Sequence, residues 1–190
     1  VTRLSNADAF GSLPRSRRMA LWETLGLPDE RRPLAPAQPG TRGSQAMLPL
    51  MSMGEEIRAD YASAGLSLKG HPVRLFRDEL NQRHVTTAAD VWNKRPGSWI
   101  KVAGLVIIRQ RPGTAKGIVF ATLEDETGIV NIIIRPDVYD VFRAIARSAS
   151  MIQADGYVER QGKVIHIMAV RLHDLSSWLA EYDLRSRDFH

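Results

Sequence analysis

The spacing of apolar residues changes once along this chain, near residue 98. Upstream, apolar positions recur three or four residues apart, as on one face of a helix; downstream they alternate, as in a half-buried strand. Residues 1–27 carry Ala7, Phe10, Leu13, Met19, Leu21, Trp22 and Leu25 at helical spacing. Gly11 and Pro14 mark a turn between two helices, and Gly26 suits the end of the second. Between 28 and 50 stand Pro28, Pro33, Pro36, Pro39 and Pro49 with Gly40 and Gly43. Proline fixes φ and lacks the amide hydrogen, so this stretch is expected to be an extended linker or long loop. Ser52 and Glu55 have capping-box spacing and predict a helix of about eleven residues, with Ile57 and Tyr61 one turn apart. Pro72 opens another, anchored by Val73, Phe76 and Leu80, and a short third follows Thr87 and ends before Pro96.

From Trp99 the alternation predicts strands at 98–109, 117–124, 129–134, 151–160 and 163–172. Pro112-Gly113 and Gly117 bracket a flexible loop, Thr127-Gly128 makes a tight turn, and Gln161-Gly162 makes another. After the third strand Pro136 starts a helix with Val138, Phe142 and Ile145 on one side. Three strands, a helix and two strands is the order of an OB-fold, a five-stranded Greek-key barrel. The expected class is therefore α+β, divided into helical residues 1–27, a linker and helical connector at 28–97, the barrel at 98–173 and a tail at 174–190.

Composition narrows the chemistry. The 190 residues suffice for one ordinary domain and an appendage, and Val1 as first residue reads as a fragment or an alternative start. A net charge of +5, carried mostly by arginine, suits phosphate contact. The absence of cysteine excludes disulfides, a thiolate nucleophile and Cys-based zinc sites, and agrees with a reducing cytoplasm. No apolar run reaches the roughly 20 residues of a membrane span, so no membrane partner is expected. The five histidines have no metal-ligand spacing, residues 113–117 lack the phosphate-loop pattern, and no nucleophile elbow is present. No catalytic residue, metal site or cofactor is therefore expected in this segment.

An OB-fold binds nucleic acid on its second and third strands, and single-strand binding calls for cations along a groove and a ring on which a base stacks. Arg109, Arg111 and Lys116 are the candidate cations, Phe120 the stacking platform, and Asn131 the polar side chain for a base edge. Two alternatives stay open: Phe120 as a core ring, and the arginines as solvated charges beside a loop. Glu124-Asp125-Glu126 reads as a turn capped by Asp125 rather than a magnesium site, and His71 as a capping or packing residue. Gln153 to Tyr157 superficially resembles a sliding-clamp peptide but lies in an expected strand. Leu175, Trp178, Leu179 and Tyr182 form either a partner-binding helix or one packed back on the barrel.

Residues 117–125 with Thr127-Gly128 resemble the motif of OB domains that bind tRNA anticodons and single-stranded DNA. In the anticodon-binding domain of aspartyl-tRNA synthetases this resemblance implies a stacking role for Phe120 and base reading at Asn131, where that family usually has Gln. A second resemblance spans the chain. Ala7-Asp8-Ala9-Phe10 and Arg17 to Trp22 resemble the end of the helix-hairpin-helix region of bacterial C-family DNA polymerases. Glu55-Glu56-Ile57, Tyr61 and Gly65 to Pro72 resemble their connector, and Ser186 to His190 is similar to the error-prone branch. The resemblance implies a C-terminal, template-binding segment of a DNA-directed polymerase that copies past lesions in DNA damage tolerance. It implies single-stranded and primer-template DNA as partners, together with accessory translesion proteins and a sliding clamp. The palm aspartates and their magnesium would lie upstream. An anticodon-binding module of an aminoacyl-tRNA synthetase and a protein-interaction OB-fold remain the alternatives.

Overall fold

Apolar and polar positions alternate in five strands whose apolar sides converge on one interior: β1 (Trp99–Gln110), β2 (Val119–Asp125), β3 (Gly128–Ile134), β4 (Met151–Gln161) and β5 (Val164–Asp174). The computed structural model describes residues 7–9, 16–25, 48–64, 67, 69–162 and 164–181. The strands close into a barrel in the order β1-β2-β3-β5-β4, with β3 and β5 parallel and every other pairing antiparallel. The fold is the α+β OB-fold that the strand order predicts. Val119, Ala121 and Leu123 of β2 and Val130, Ile132 and Ile134 of β3 point inward and are buried. Burial of a side chain of this kind stabilises by about 1.5–3 kcal/mol, and the interior holds more than a dozen of them.

The chain divides into two compact units, Val1–Lys69 and Gly70–His190. In the first, α1 (Arg17–Leu25) and α2 (Met53–Ala64) are held together by a buried guanidinium. Arg17, 3% exposed, donates to the Glu56 carbonyl at 3.1 Å and pairs with Asp60. The capping box is formed: the Glu55 amide donates to Ser52 Oγ at 3.3 Å and the Ser52 amide to Glu55 Oε2 at 2.7 Å. Phe10, the linker between 28 and 47, Tyr182 and the 186–190 motif lie outside the described residues.

In the second unit the helix expected at Pro72 is a 3₁₀ turn, Pro72–Phe76, that runs into α3 (Arg77–Gln82). Thr87 caps α4 (Ala88–Val91), whose Ala88 and Val91 plug the end of the barrel where β3 begins. The single helix expected after β3 is two, α5 (Pro136–Val141) and α6 (Arg143–Ser148), broken at Phe142, which has φ −109° and ψ 28°. They close the end where β3 stops, through Val138, Tyr139 and Ala146. The tail helix α7 (Ser176–Glu181) packs back: Trp178 lies 5.5 Å from the Phe76 ring, and Leu175 and Leu179 are buried. Residues 70–97 and 175–181 thus share one compact unit with the barrel.

Candidate nucleic-acid interface

Only part of the barrel's outer surface is open. On β1 and β4 the outward residues Ala103, Met151 and Gln153 are buried. Beside them the segment before α4 lies along β1, with the Thr86 amide donating to the Lys101 carbonyl at 2.7 Å and Lys101 Nζ to the Arg83 carbonyl at 3.1 Å. The Leu175 amide donates to the Met151 carbonyl at 3.0 Å, bringing α7 over the same side. The sequence from Gln153 to Tyr157 lies within β4, with Gln153 to Gly156 buried, so its backbone is committed to the sheet.

On the outer faces of β2, β3 and β5 the side chains of Phe120, Asn131, Ile133, His166 and Met168 are partly exposed, while the end of β2 is approached by His71 at Glu124. Residues in register across a sheet point to one face, so the pairings define two cross-strand rows. One runs Gln110, Phe120, Ile133, Met168, Tyr157 and Trp99; the other runs Ile108, Thr122, Asn131, His166 and Glu159. Phe120 is therefore an outward ring and not a core ring, since its neighbours Val119 and Ala121 both face inward. The Thr122 hydroxyl donates to Asn131 Oδ1 at 2.8 Å, which turns the Asn131 N–H donors outward. Beside it His166 Nδ1 is buried and has no hydrogen-bond partner among the described residues. An apolar row next to a row of donors and acceptors is what a base needs for its face and its edge.

The expected cations divide. Arg109 donates to the Ala149 carbonyl, the C-cap of α6, where the helix dipole favours positive charge. Arg111 lies over the Tyr139 ring at 4.5 Å and is exposed to solvent, as is Lys116. Both arginines therefore reach toward the end closed by α5 and α6, and residue 110 between them pairs with Phe120. Asn131 sits one residue pair further along the same face, at the level of Thr122. The loop at 111–118 contains two hydrogen-bonded turns, Ala115 to Pro112 at 3.0 Å and Ile118 to Ala115 at 2.9 Å. Lys116 at φ 48° and Gly117 at φ 87° turn the chain into β2.

The carboxylate cluster is structural. Asp125 Oδ1 accepts from the Thr127 amide at 2.7 Å and the Gly128 amide at 3.1 Å, and Oδ2 from the Ala88 amide at 2.8 Å. Arg77 donates to Asp125 at 3.3 Å and to Glu126 at 2.9 Å. With these oxygens engaged the cluster does not fit a magnesium ion, and no other acidic or histidine group suited to one occurs among the described residues. His71 Nδ1 accepts from the Val73 amide at 3.2 Å, so Nε2 carries the proton of the neutral ring, 3.8 Å from Glu124. Burial holds the His71 pKa below the ordinary histidine value, against the opposing charge of Glu124 and its neighbours.

Ile133, His166 and Met168 were not among the residues expected at this face. Ile133 joins through its pairing with Phe120, and His166 and Met168 through the parallel pairing of β3 with β5, which joins segments 35 residues apart in sequence and which periodicity does not report. The alternation of β5 was the available signal, since Ile165, Ile167 and Ala169 face inward and leave His166 and Met168 outside.

Residues 95–175, which contain this barrel, match the family described as OB-fold nucleic acid binding domain. Over nearly its whole length the chain is also related to error-prone DNA polymerases. It is 41% identical to error-prone DNA polymerase 2 of Rhizobium meliloti over 96% of this chain and 18% of that protein. It is 42% identical to the error-prone DNA polymerase of Anaeromyxobacter dehalogenans over 100% and 17%, and 45% identical to that of Brucella abortus over 95% and 17%. The chain thus spans less than a fifth of the length of these relatives. Among solved structures, asparaginyl-tRNA synthetase from Pyrococcus horikoshii aligns with a TM-score of 0.42 at 19% identity, over 48% of this chain and 23% of that one. No helix among the described residues is long and apolar enough to cross a membrane.

Proposed function

We propose that this chain is the template-binding C-terminal segment of an error-prone, translesion DNA-directed DNA polymerase, and that its OB-fold holds single-stranded DNA. One observation carries the reading: Phe120 projects from the open face of the barrel, in register with Ile133 and beside Asn131. A base stacks on the Phe120 ring, the Asn131 amide and His166 meet its edge, and Arg111 with Lys116 hold the phosphates on the side of the loop. The polymerase names of relatives matched along the whole chain support the parent activity, and make the anticodon-binding alternative the weaker one. Polymerisation itself is assigned to other parts of such a protein, and the 190-residue chain alone is expected to extend no primer. Accessory translesion proteins and a sliding clamp are proposed as partners of the parent, acting in the cytoplasm.

The test is fluorescence anisotropy of the full chain with labelled single-stranded DNA across a salt series. Phe120→Ala should weaken binding by about 1–3 kcal/mol, the worth of one base–aromatic stack. Replacing Arg111 and Lys116 together by alanine should flatten the slope of log affinity against log salt by roughly 0.7 for each phosphate these side chains neutralise. Arg109 stays in place because it caps α6. Absence of binding by the unsubstituted chain would sink the proposal and favour the protein-interaction OB-fold; detectable primer extension would refute the assignment of polymerisation elsewhere.

A further inference from the structure

Beyond Asn131 the open face runs into a recess between α4 and the first residues of β3 and β5. Its walls are Ala88, Val91, Trp92, Ile129, Asn131 and Val164, and its volume is about 140 Å³. Pockets for whole small molecules run to about 300–1,000 Å³, so this one is of a size for a single planar ring. We infer that it takes one unstacked nucleobase of a single strand that crosses the Phe120 face, the ring lying against the Trp92 indole and its edge against the Asn131 amide. The inference rests on the single-strand reading above and gives that site a second, separate base position.

Three features commit the recess to this occupant. Trp92 is 56% exposed, so its ring is presented to a ligand and not consumed by the core. Asn131 belongs both to the recess and to the row beside Phe120, which makes the two positions continuous. A cation stands beside Trp92: the exposed Arg160 donates to the Trp92 carbonyl at 2.8 Å, and the exposed Lys94 and Arg95 follow Trp92 in the chain. The acids nearest these residues in the chain are Asp90, which is hydrogen-bonded by the Thr87 hydroxyl at 2.8 Å, and Glu159, which precedes Arg160. Arg160 at the Trp92 carbonyl suits a phosphate beside a base. A flat apolar wall with one amide suits the base itself, and offers too few polar groups to satisfy a peptide backbone.

The experiment compares the full chain with Trp92→Ala, Trp92→Phe and Phe120→Ala, using labelled oligothymidylate and a baseless abasic strand of equal length, with thermal unfolding as a folding control. Trp92→Ala is expected to weaken oligothymidylate binding about 5- to 150-fold, to abolish much of the tryptophan quenching on binding, and to leave abasic-strand binding unchanged. Trp92→Phe is expected to restore most of the affinity. If Trp92→Ala binds as tightly as the unsubstituted chain while Phe120→Ala does not, the recess inference fails and the single-strand reading stands. If Trp92→Ala weakens both strands equally, the effect is electrostatic or structural and the inference fails again. If the unsubstituted chain binds neither strand, both readings fall together.

Discussion

Asp125 shows how one side chain can join three segments. It caps the β2–β3 turn, accepts from the first amide of α4 and pairs with Arg77 of α3, while itself 4% exposed. Asp125→Asn places an amide donor where backbone N–H groups point, so buried donors lose their acceptor; a loss of about 3 kcal/mol is expected, read as a lower urea midpoint at unchanged slope. His71 makes a pH prediction. Its folded pKa lies below the unfolded value of about 6.5, so the unfolded chain takes up the proton first and stability falls as pH drops through that value. His71→Asn keeps an acceptor for the Val73 amide and removes the titration. Its melting temperature should therefore fall less than that of the unsubstituted chain between about pH 7.5 and 5.5, the range in which histidine titrates. The residue types at the candidate interface were legible, Phe120 and Asn131 among them, but the outward direction of Phe120 was not, because both its neighbours are apolar and only their burial decides it. The role of Arg109 was not, because its acceptor, the Ala149 carbonyl, lies 40 residues away.

At the scale of elements, close approach of backbones sets what the sheet tolerates. A Cβ built on Gly156 would lie 2.1 Å from the Met168 carbonyl oxygen, beside the register shift that follows Asp155. Gly156→Ala must push β4 from β5 at the level of the Phe120 row, and a loss of about 1–3 kcal/mol or more is expected in thermal or chemical unfolding. Gly104 is under the same constraint from β2, with the Glu124 carbonyl oxygen 2.5 Å from a built Cβ. Strand alternation located all five strands to within about two residues, the usual margin at element ends. The break at Phe142 escaped it, because Val138, Phe142 and Ile145 keep helical spacing across the kink, while the packing of Tyr139 and Ala146 into the barrel end decides the two helix directions.

At the scale of the molecule, the helices around the barrel decide which of its outer faces are covered. Trp178 packs on Phe76 and under the Arg83 guanidinium at 4.8 Å, and Leu179 is 3% exposed. Leu179→Ala should therefore cost about 2–5 kcal/mol, as for a core residue, and its melting temperature should fall accordingly. A loss below about 0.5 kcal/mol would show instead that α7 is free for a partner. The same covering buries the outer sides of β1 and β4 at Ala103 and Met151, while Phe120, Ile133 and Met168 on β2, β3 and β5 stay partly exposed.

The sequence by itself determined the strands, their order along the chain and the capping residues. These are local properties, written in period, turn chemistry and propensity. Only the tertiary structure decided which outer face stays open, that β5 lends His166 and Met168 to it, and that Trp92 stands at its end. Those outcomes depend on pairings between distant segments, whose partners are selected by barrel closure and burial and leave no periodic mark on the chain.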